Sequence, residues 1–168
     1  GAPLFTGMGE YSRAITTADP GPGRYFNQGM VLAFGFNHAE AIRSFRAAQK
    51  LDPTCAMCFW GEALATGPHI NVTSKGKAIM SPADRVAAHK AAQQALSLKG
   101  NATDVEKALI DAQAIRYDGN ETSDREPLDK AYAEAMKTVV ARFPADDDAA
   151  AIYAEAWMNT MPWNYWSD

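Results

Sequence analysis

Two cysteines, Cys55 and Cys58, form the most distinctive chemical pattern in the sequence. They are separated by two residues at the predicted start of a helix, where free main-chain amides lower a thiol pKa. A local disulfide is the first expectation for an exported protein, and two reduced, packed thiols are nearly as well supported. A redox pair and a zinc site have less support, since neither a βαβ pattern nor a second cysteine pair is present. Covalent haem attachment is excluded because Phe59 stands where a histidine is required.

A second candidate site combines two histidines with a carboxylate. His38 lies at the start of the predicted second helix, Glu62 lies in the third, and His69 follows just beyond it. Stacked hairpins bring such segments together, so these three residues are candidates for a metal site or for acid–base chemistry. The alternative is structural, with His38 capping a helix and Glu62 pairing with an arginine such as Arg24 or Arg43. The spacing matches no compact metal motif, so the structural interpretation is favoured and no cofactor is predicted.

Length and composition place these residues in one helical domain. The chain has 168 residues, 47% of them hydrophobic and 21% charged, which is typical of a globular domain with a real core. Alanine, the best helix former, occurs 32 times. The formal net charge of -4 argues against general nucleic-acid binding. No apolar run approaches the roughly 20 residues that a membrane span needs. The common enzyme motifs are absent, so the sequence does not establish an enzyme.

Helical periodicity and helix-boundary residues predict about seven helices after an extended arm over residues 1–22. Ser81 and Pro82 begin one helix, and acidic residues at 146–148 begin the last. Capping boxes are predicted at Thr103 with Glu106 and at Ser123 with Glu126. The predicted helices cover, in order, residues 24–34, 38–51, 55–66, 81–98, 103–117, 126–143 and 146–160. Short connections make neighbouring helices antiparallel, so we expect an all-α stack of helical hairpins, an α-solenoid.

Residues 22–55 fit one 34-residue tetratricopeptide unit. Gly29 and Ala41 would let the two helices approach closely, while Tyr25 and Phe45 fill the space beside them. The characteristic positions of the unit are occupied by Tyr25, Gly29, Ala41, Phe45, Ala48 and Pro53. Later units are degenerate. We therefore expect residues 23–168 to form one repeat domain that continues in further chain or in a partner subunit.

The residues from Tyr25 to Ala63 resemble a bacterial family of larger tetratricopeptide-repeat proteins, many of them apparently exported and mostly without an assigned reaction. The resemblance extends from Leu4 to Trp166 and is strongest over 25–71. It rests on Tyr25-Phe26-Asn27-Gln28-Gly29, on Phe36 through Phe45, and on Leu51-Asp52-Pro53-Thr54-Cys55-Ala56-Met57-Cys58-Phe59-Trp60-Gly61-Glu62-Ala63. It implies a helical-repeat fold and a periplasmic or secreted location, with a soluble cytoplasmic one as the alternative. Family members usually continue with further repeats after a segment like the one at 162–166, and they often have asparagine at position 69.

The sequence predicts two contact surfaces. In a tetratricopeptide array the first helix of each hairpin lines an inner, concave groove, and apolar and aromatic residues there suit a peptide or a partner helix. The predicted groove residues are Phe26, Met30, Met57, Trp60 and Leu64. The aromatic end of the chain is expected to contact a partner, since a solenoid end normally carries a polar cap. Its residues are Trp157, Trp163, Tyr165 and Trp166. The alternative for the groove is that the arm or further repeats cover it.

These observations favour a protein-interaction or assembly module whose partner is a peptide or another protein subunit. A metal-binding protein or metal-dependent enzyme that uses the histidine and glutamate residues is the alternative function.

Overall fold

A computed structural model of the chain describes residues 1–73, 79–161 and 166. Its α-helices are α1 (Pro20–Phe34), α2 (His38–Leu51), α3 (Ala56–Thr66), α4 (Pro82–Leu98), α5 (Asp104–Ile115), α6 (Arg125–Arg142) and α7 (Asp147–Thr160). Within the described ranges the only strand-like feature is an isolated bridge between His69 and Val72. The predicted all-α class is confirmed. No helix in this part of the chain combines the length and the apolar character that crossing a membrane requires.

Residues at the helix ends explain most of these boundaries. The Ser81 side chain caps α4, and Thr103 with Glu106 forms the predicted capping box of α5. Asp146 accepts a hydrogen bond from a first-turn main-chain N–H of α7. Each cap satisfies an amide that would otherwise lack a partner, which fixes where the helix begins.

The start of α1 and the cap of α6 differ from the prediction, and α5 ends at Ile115, two residues before its predicted end. α1 begins at Pro20 because the Asp19 side chain caps it and proline suits the first helical turn. The arm therefore comprises residues 1–19 rather than 1–22. α6 is capped by Asp124 rather than by Ser123, since the Asp124 carboxylate accepts the main-chain N–H two residues later.

The helices stack as antiparallel hairpins. Each helix packs against the next one in the chain, and α3 also contacts both α1 and α5. The first helices of successive hairpins thus form one layer, and the second helices flank it. The first helices carry most of the groups that hold the arm, and α1, α3 and α7 enclose the cavity described below.

Close packing at the first hairpin depends on two glycines. The Phe45 ring of α2 lies against Gly29 of α1 and Gly61 of α3, and a Cβ atom at Gly29 would lie 2.7 Å from the ring. A Cβ at Gly61 would approach the same ring even more closely. Since protein interiors are close-packed, a side chain at either position would displace Phe45. The predicted role of Gly29 is confirmed, and Gly61 extends it to the next hairpin.

Cys55 and Cys58 form the expected local disulfide at the start of α3. Both residues are buried, with exposed fractions of 1% and 0%. Because the two sulfurs are bonded to each other, neither is a thiolate ligand or an exposed redox thiol in this structure.

Candidate binding site

The arm crosses the layer of first helices, and α1 holds it through its main chain. The Phe5 main-chain N–H donates to Gln28 Oε1 at 2.8 Å, and Gln28 Nε2 donates to the Pro3 carbonyl at 2.9 Å. Further along, the Arg13 main-chain N–H donates to Asn27 Oδ1 at 3.0 Å. Side-chain amides of α1 therefore bind the peptide groups of an extended segment without regard to its side chains.

Two buried carboxylates hold the end of the arm. The Thr16 main-chain N–H donates to Glu106 Oε1 at 2.6 Å, and the Ala18 main-chain N–H donates to Asp52 Oδ2 at 2.8 Å. Burial raises the pKa of Asp52. Hydrogen bonds from Thr54, from the Ala18 N–H and from the Thr17 hydroxyl outweigh this effect and lower that pKa to about 2. Asp52 thus stays ionised as an acceptor for the arm at any ordinary pH.

The arm also reaches α7. Arg13 Nη2 lies 2.7 Å from Asp146 Oδ2, and Arg13 Nη1 lies 2.9 Å from Asp148 Oδ2. The Tyr11 hydroxyl donates to Asp148 Oδ2 at 2.7 Å. Side-chain contacts at this point add specificity for arginine and tyrosine to the main-chain contacts made by α1.

Next to the arm, a cavity of about 250 Å³ opens between the C-terminal halves of α1, α3 and α7. Its walls are mostly apolar, and its apolar lining includes Phe34, Phe36, Leu64, Ile70, Ala151, Ala154 and Met158. Tyr11 of the arm packs edge-on against Phe34, with ring centroids 6.2 Å apart. The arm and the cavity are therefore adjacent, and the surface of α1, α3, α5 and α7 that holds the one and forms the other is called the inner face.

Strain marks one edge of the cavity. Phe36 has a φ of 60°, in the left-handed region that non-glycine residues rarely adopt. Its side chain remains 49% exposed although it lines the cavity. This conformation ends α1, since the Phe36 N–H donates to the Ala33 carbonyl and the Asn37 N–H donates to the Leu32 carbonyl. It also leaves an exposed aromatic side chain at the rim of the cavity.

Two histidines line the cavity and stack on each other. The ring centroids of His38 and His69 lie 4.0 Å apart, with planes 17° from parallel. Burial lowers the pKa of His38. Burial, the charge of His38 and the charge of Arg116 lower the pKa of His69 to about 4. Both rings are therefore neutral at pH 7, which allows them to stack without repulsion.

The three residues of the alternative metal site, His38, Glu62 and His69, do not converge on one point. Stacked rings cannot both direct their in-plane lone pairs at one ion. The Glu62 carboxylate is bound elsewhere, by Arg46 Nε at 2.7 Å and by Gln49 Nε2 at 2.6 Å. The described ranges contain no group of three His, Cys, Asp or Glu side chains placed to hold a metal ion. Glu62 does pair with an arginine, but with Arg46 on α2 rather than with the two arginines that we expected.

A buried charge network lies behind the cavity. Burial raises the pKa of Glu155, which lines the cavity, and the charge of Arg116 opposes that rise. Arg116 is 2% exposed and donates to the Pro68 carbonyl at 2.9 Å. Asp129 binds Arg125 at 2.6 Å and lies 3.8 Å from Arg116, so one carboxylate serves two arginines. The charge of Glu155 is in turn one of the causes that raise the pKa of Arg116, so the two groups are electrostatically coupled.

Glu155 and Arg116 are not among the site residues that the sequence predicts. One signal for Glu155 was available, because it is the single charged side chain in an otherwise apolar or small-residue stretch of α7 from Ala149 to Met158. Arg116 carries no such signal, since arginine at a helix end is normally solvated.

Four of the five predicted groove residues do not line an open groove. Phe26, Met30 and Met57 are fully buried, and Trp60 is 1% exposed. The Trp60 indole N–H donates to the Leu109 carbonyl of α5 at 3.2 Å. These side chains fill the space between hairpins, because α1, α3 and α5 pack directly against one another. The fifth residue, Leu64, lines the cavity as expected.

The aromatic end of the chain is only partly described. Trp157 packs at the edge of the core, and Trp166 is 94% exposed. Trp163 and Tyr165 lie outside the described residues. Their expected contact with a partner remains a prediction.

Comparison of the chain with models of protein families, with curated proteins and with solved structures finds no match. The class that the structure itself defines is an all-α stack of antiparallel helical hairpins. The tetratricopeptide resemblance stays an expectation from the sequence.

Proposed function

We propose that this protein is a helical-repeat binding module whose inner face binds an extended polypeptide segment of a protein partner. One observation carries the proposal: the inner face already binds an extended segment, its own arm, through the main chain. Gln28, Asn27, Glu106 and Asp52 all bond to peptide groups of the arm. The arm keeps these groups occupied, so the partner segment would lie beside the arm and enter the open cavity, on a face whose chemistry already suits an extended chain.

The cavity beside the arm would take an anchoring side chain of the same partner. Its volume of about 250 Å³ is below the range of about 300–1,000 Å³ that is typical of small-molecule pockets. That size fits one or two large apolar side chains. Leu64, Ala154 and Met158 would contact the anchor, and the arm would mark the direction in which the bound segment continues.

The proposal can be tested with a displayed library of random peptides and full-length protein, followed by fluorescence anisotropy on the selected peptides. Ala154 is an exposed residue of α7 that lines the cavity, so Ala154→Trp should fill it. We expect selected peptides to share a large apolar residue and to bind this variant about tenfold more weakly or worse.

Ala150→Trp is the matched control, because Ala150 is an exposed alanine of α7 that does not line the cavity. It should change affinity by less than about twofold. Failure to select any peptide would contradict the proposal, and so would equal weakening by both variants.

A second candidate function is a small-molecule or acid–base site in the same cavity. His38, His69 and Glu155 all line it and all have shifted pKa values, a combination that is enriched at functional sites. A metal-dependent form of this function requires the two rings to leave their stack. Elemental analysis of the purified protein beside His38→Ala tests this metal-dependent form, because stoichiometric metal that is lost in the variant would favour it.

We further propose that the protein works in an oxidising compartment, either the periplasm or the exterior of the cell. The Cys55–Cys58 disulfide supports this location, because disulfides persist in oxidising environments and are rare in the cytosol.

A further inference from the structure

A second concave surface lies between α2, α3 and α4. It has a volume of about 780 Å³ and shares no lining residue with the cavity of the inner face. α3 contributes Phe59 and Glu62 to this surface but Leu64 and Ala65 to the cavity. The two surfaces therefore lie on different faces of α3. We call the second one the basic cleft, and its characteristic residues are Arg46, Gln49, Lys50, Phe59, Lys90 and Gln94.

Positive charge is concentrated in the basic cleft. Arg46, Lys50 and Lys90 line it, against the single carboxylate of Glu62. That carboxylate is already bound by Arg46 and by the Gln49 side chain. Lys50 and Lys90 are exposed, and neither forms an ion pair with any residue that the structure describes. A net positive cleft is notable in a chain with a formal charge of -4.

Fold stability explains the position of Lys50 but not that of Lys90. Lys50 lies in the last turn of α2, where a cation is favoured by the helix dipole. Lys90 lies in the middle of α4, far from either end, and has no such role. Phe59 contributes an aromatic surface to the same cleft and is only partly buried. Cations around an accessible apolar surface are the complement of an acidic segment that also carries apolar side chains.

We propose that the basic cleft docks an acidic segment of a protein partner. Carboxylates of that segment pair with Lys50 and Lys90, and an apolar side chain rests on Phe59. Nucleic acid is a poorer fit, because phosphate recognition depends on an extended basic surface, whereas this cleft offers a few cations in a chain with a formal charge of -4. The two concave surfaces are separate, so one molecule can bind two partners at once.

The test uses full-length protein and a labelled synthetic peptide in which glutamates alternate with leucines. A matched peptide with glutamine in place of every glutamate controls for apolar contact. We expect the acidic peptide to bind, with an affinity that falls as salt rises to about 0.15 M, and the glutamine peptide not to bind. The double variant Lys50→Gln/Lys90→Gln should weaken binding about tenfold or more.

The double variant Lys130→Gln/Lys137→Gln on α6 changes the net charge equally at exposed positions outside the cleft. It should leave affinity within about twofold, and circular dichroism should show that both double variants fold. Equal weakening of peptide binding by the two double variants would overturn the proposal. So would the absence of binding of the acidic peptide at low salt. Tighter, lysine-dependent binding of duplex DNA or polyphosphate would overturn the choice of partner. Lys50 and Lys90 do not line the cavity of the inner face. The inner-face proposal and the basic-cleft proposal can therefore fail independently.

Discussion

Arg13 forms a two-point ion pair with Asp146, a residue 133 positions later in the chain. Its main-chain N–H meanwhile binds Asn27 of α1, so one residue of the arm connects the first helix to the last. Asp146 also caps α7, which makes the same carboxylate a helix cap and an arm anchor. The arm is therefore an integral part of the stack.

Arg13→Ala should lower the free energy of unfolding by about 2 kcal/mol, because it leaves Asp146 and Asp148 largely buried without their cation. Urea denaturation measures the change. Arg13→Lys keeps the charge but cannot bind both carboxylates with a planar fork, so it should lie between the wild type and Arg13→Ala. Equal stability of Arg13→Ala and the wild type would show that the arm does not join the two ends.

The histidine stack predicts that acid weakens the fold. The pKa of His69 falls from 6.5 to about 4 on folding, so the unfolded chain binds protons more readily between those values. The contribution of His69 to stability should be constant above about pH 6.5 and should decrease as the pH falls toward about 4. His69→Asn, which cannot titrate, should flatten this part of the curve of unfolding free energy against pH. An unchanged slope in the variant would exclude His69 as the cause.

Gly61→Ala should destabilise the protein by about 1–3 kcal/mol, because the added methyl group would collide with the Phe45 ring. Thermal unfolding followed by circular dichroism measures the effect. Gly100→Ala is the matched control, since nothing lies within 4 Å of the position that its methyl group would occupy. A similar loss in both variants would indicate a general backbone effect instead of a collision.

The disulfide predicts the thiol content of the purified protein. Titration in denaturant without reductant should detect no free thiol, and titration after reduction and removal of the reductant should detect both Cys55 and Cys58. Two titratable thiols in the unreduced protein would contradict the disulfide and remove the support for an oxidising compartment.

Local signals made most of the fold predictable. The bounds of α2 match the prediction at both ends, because Gly35 and Asn37 precede it and Pro53 follows its last turn. Caps and prolines act over a few residues, so they can be identified without knowledge of the partners of each helix.

The candidate site was less predictable because it depends on contacts between distant residues. The same helical period that identifies an apolar face cannot distinguish Phe26, which faces the core, from Leu64, which faces the cavity. The pairing of Arg13 with Asp146 has no signal in either segment. Stacking did bring His38 and His69 together as expected, but the rotation of α3 turned Glu62 toward α2.

The proposed polypeptide site is tested most directly by main-chain NMR of the full-length protein during titration with a selected peptide. If the peptide binds at the cavity, the largest chemical-shift changes will occur at Leu64, at residues 68–70 and along α7 from Ala151 to Met158. Changes confined to other surfaces, with these positions unmoved at saturation, would contradict the proposed site.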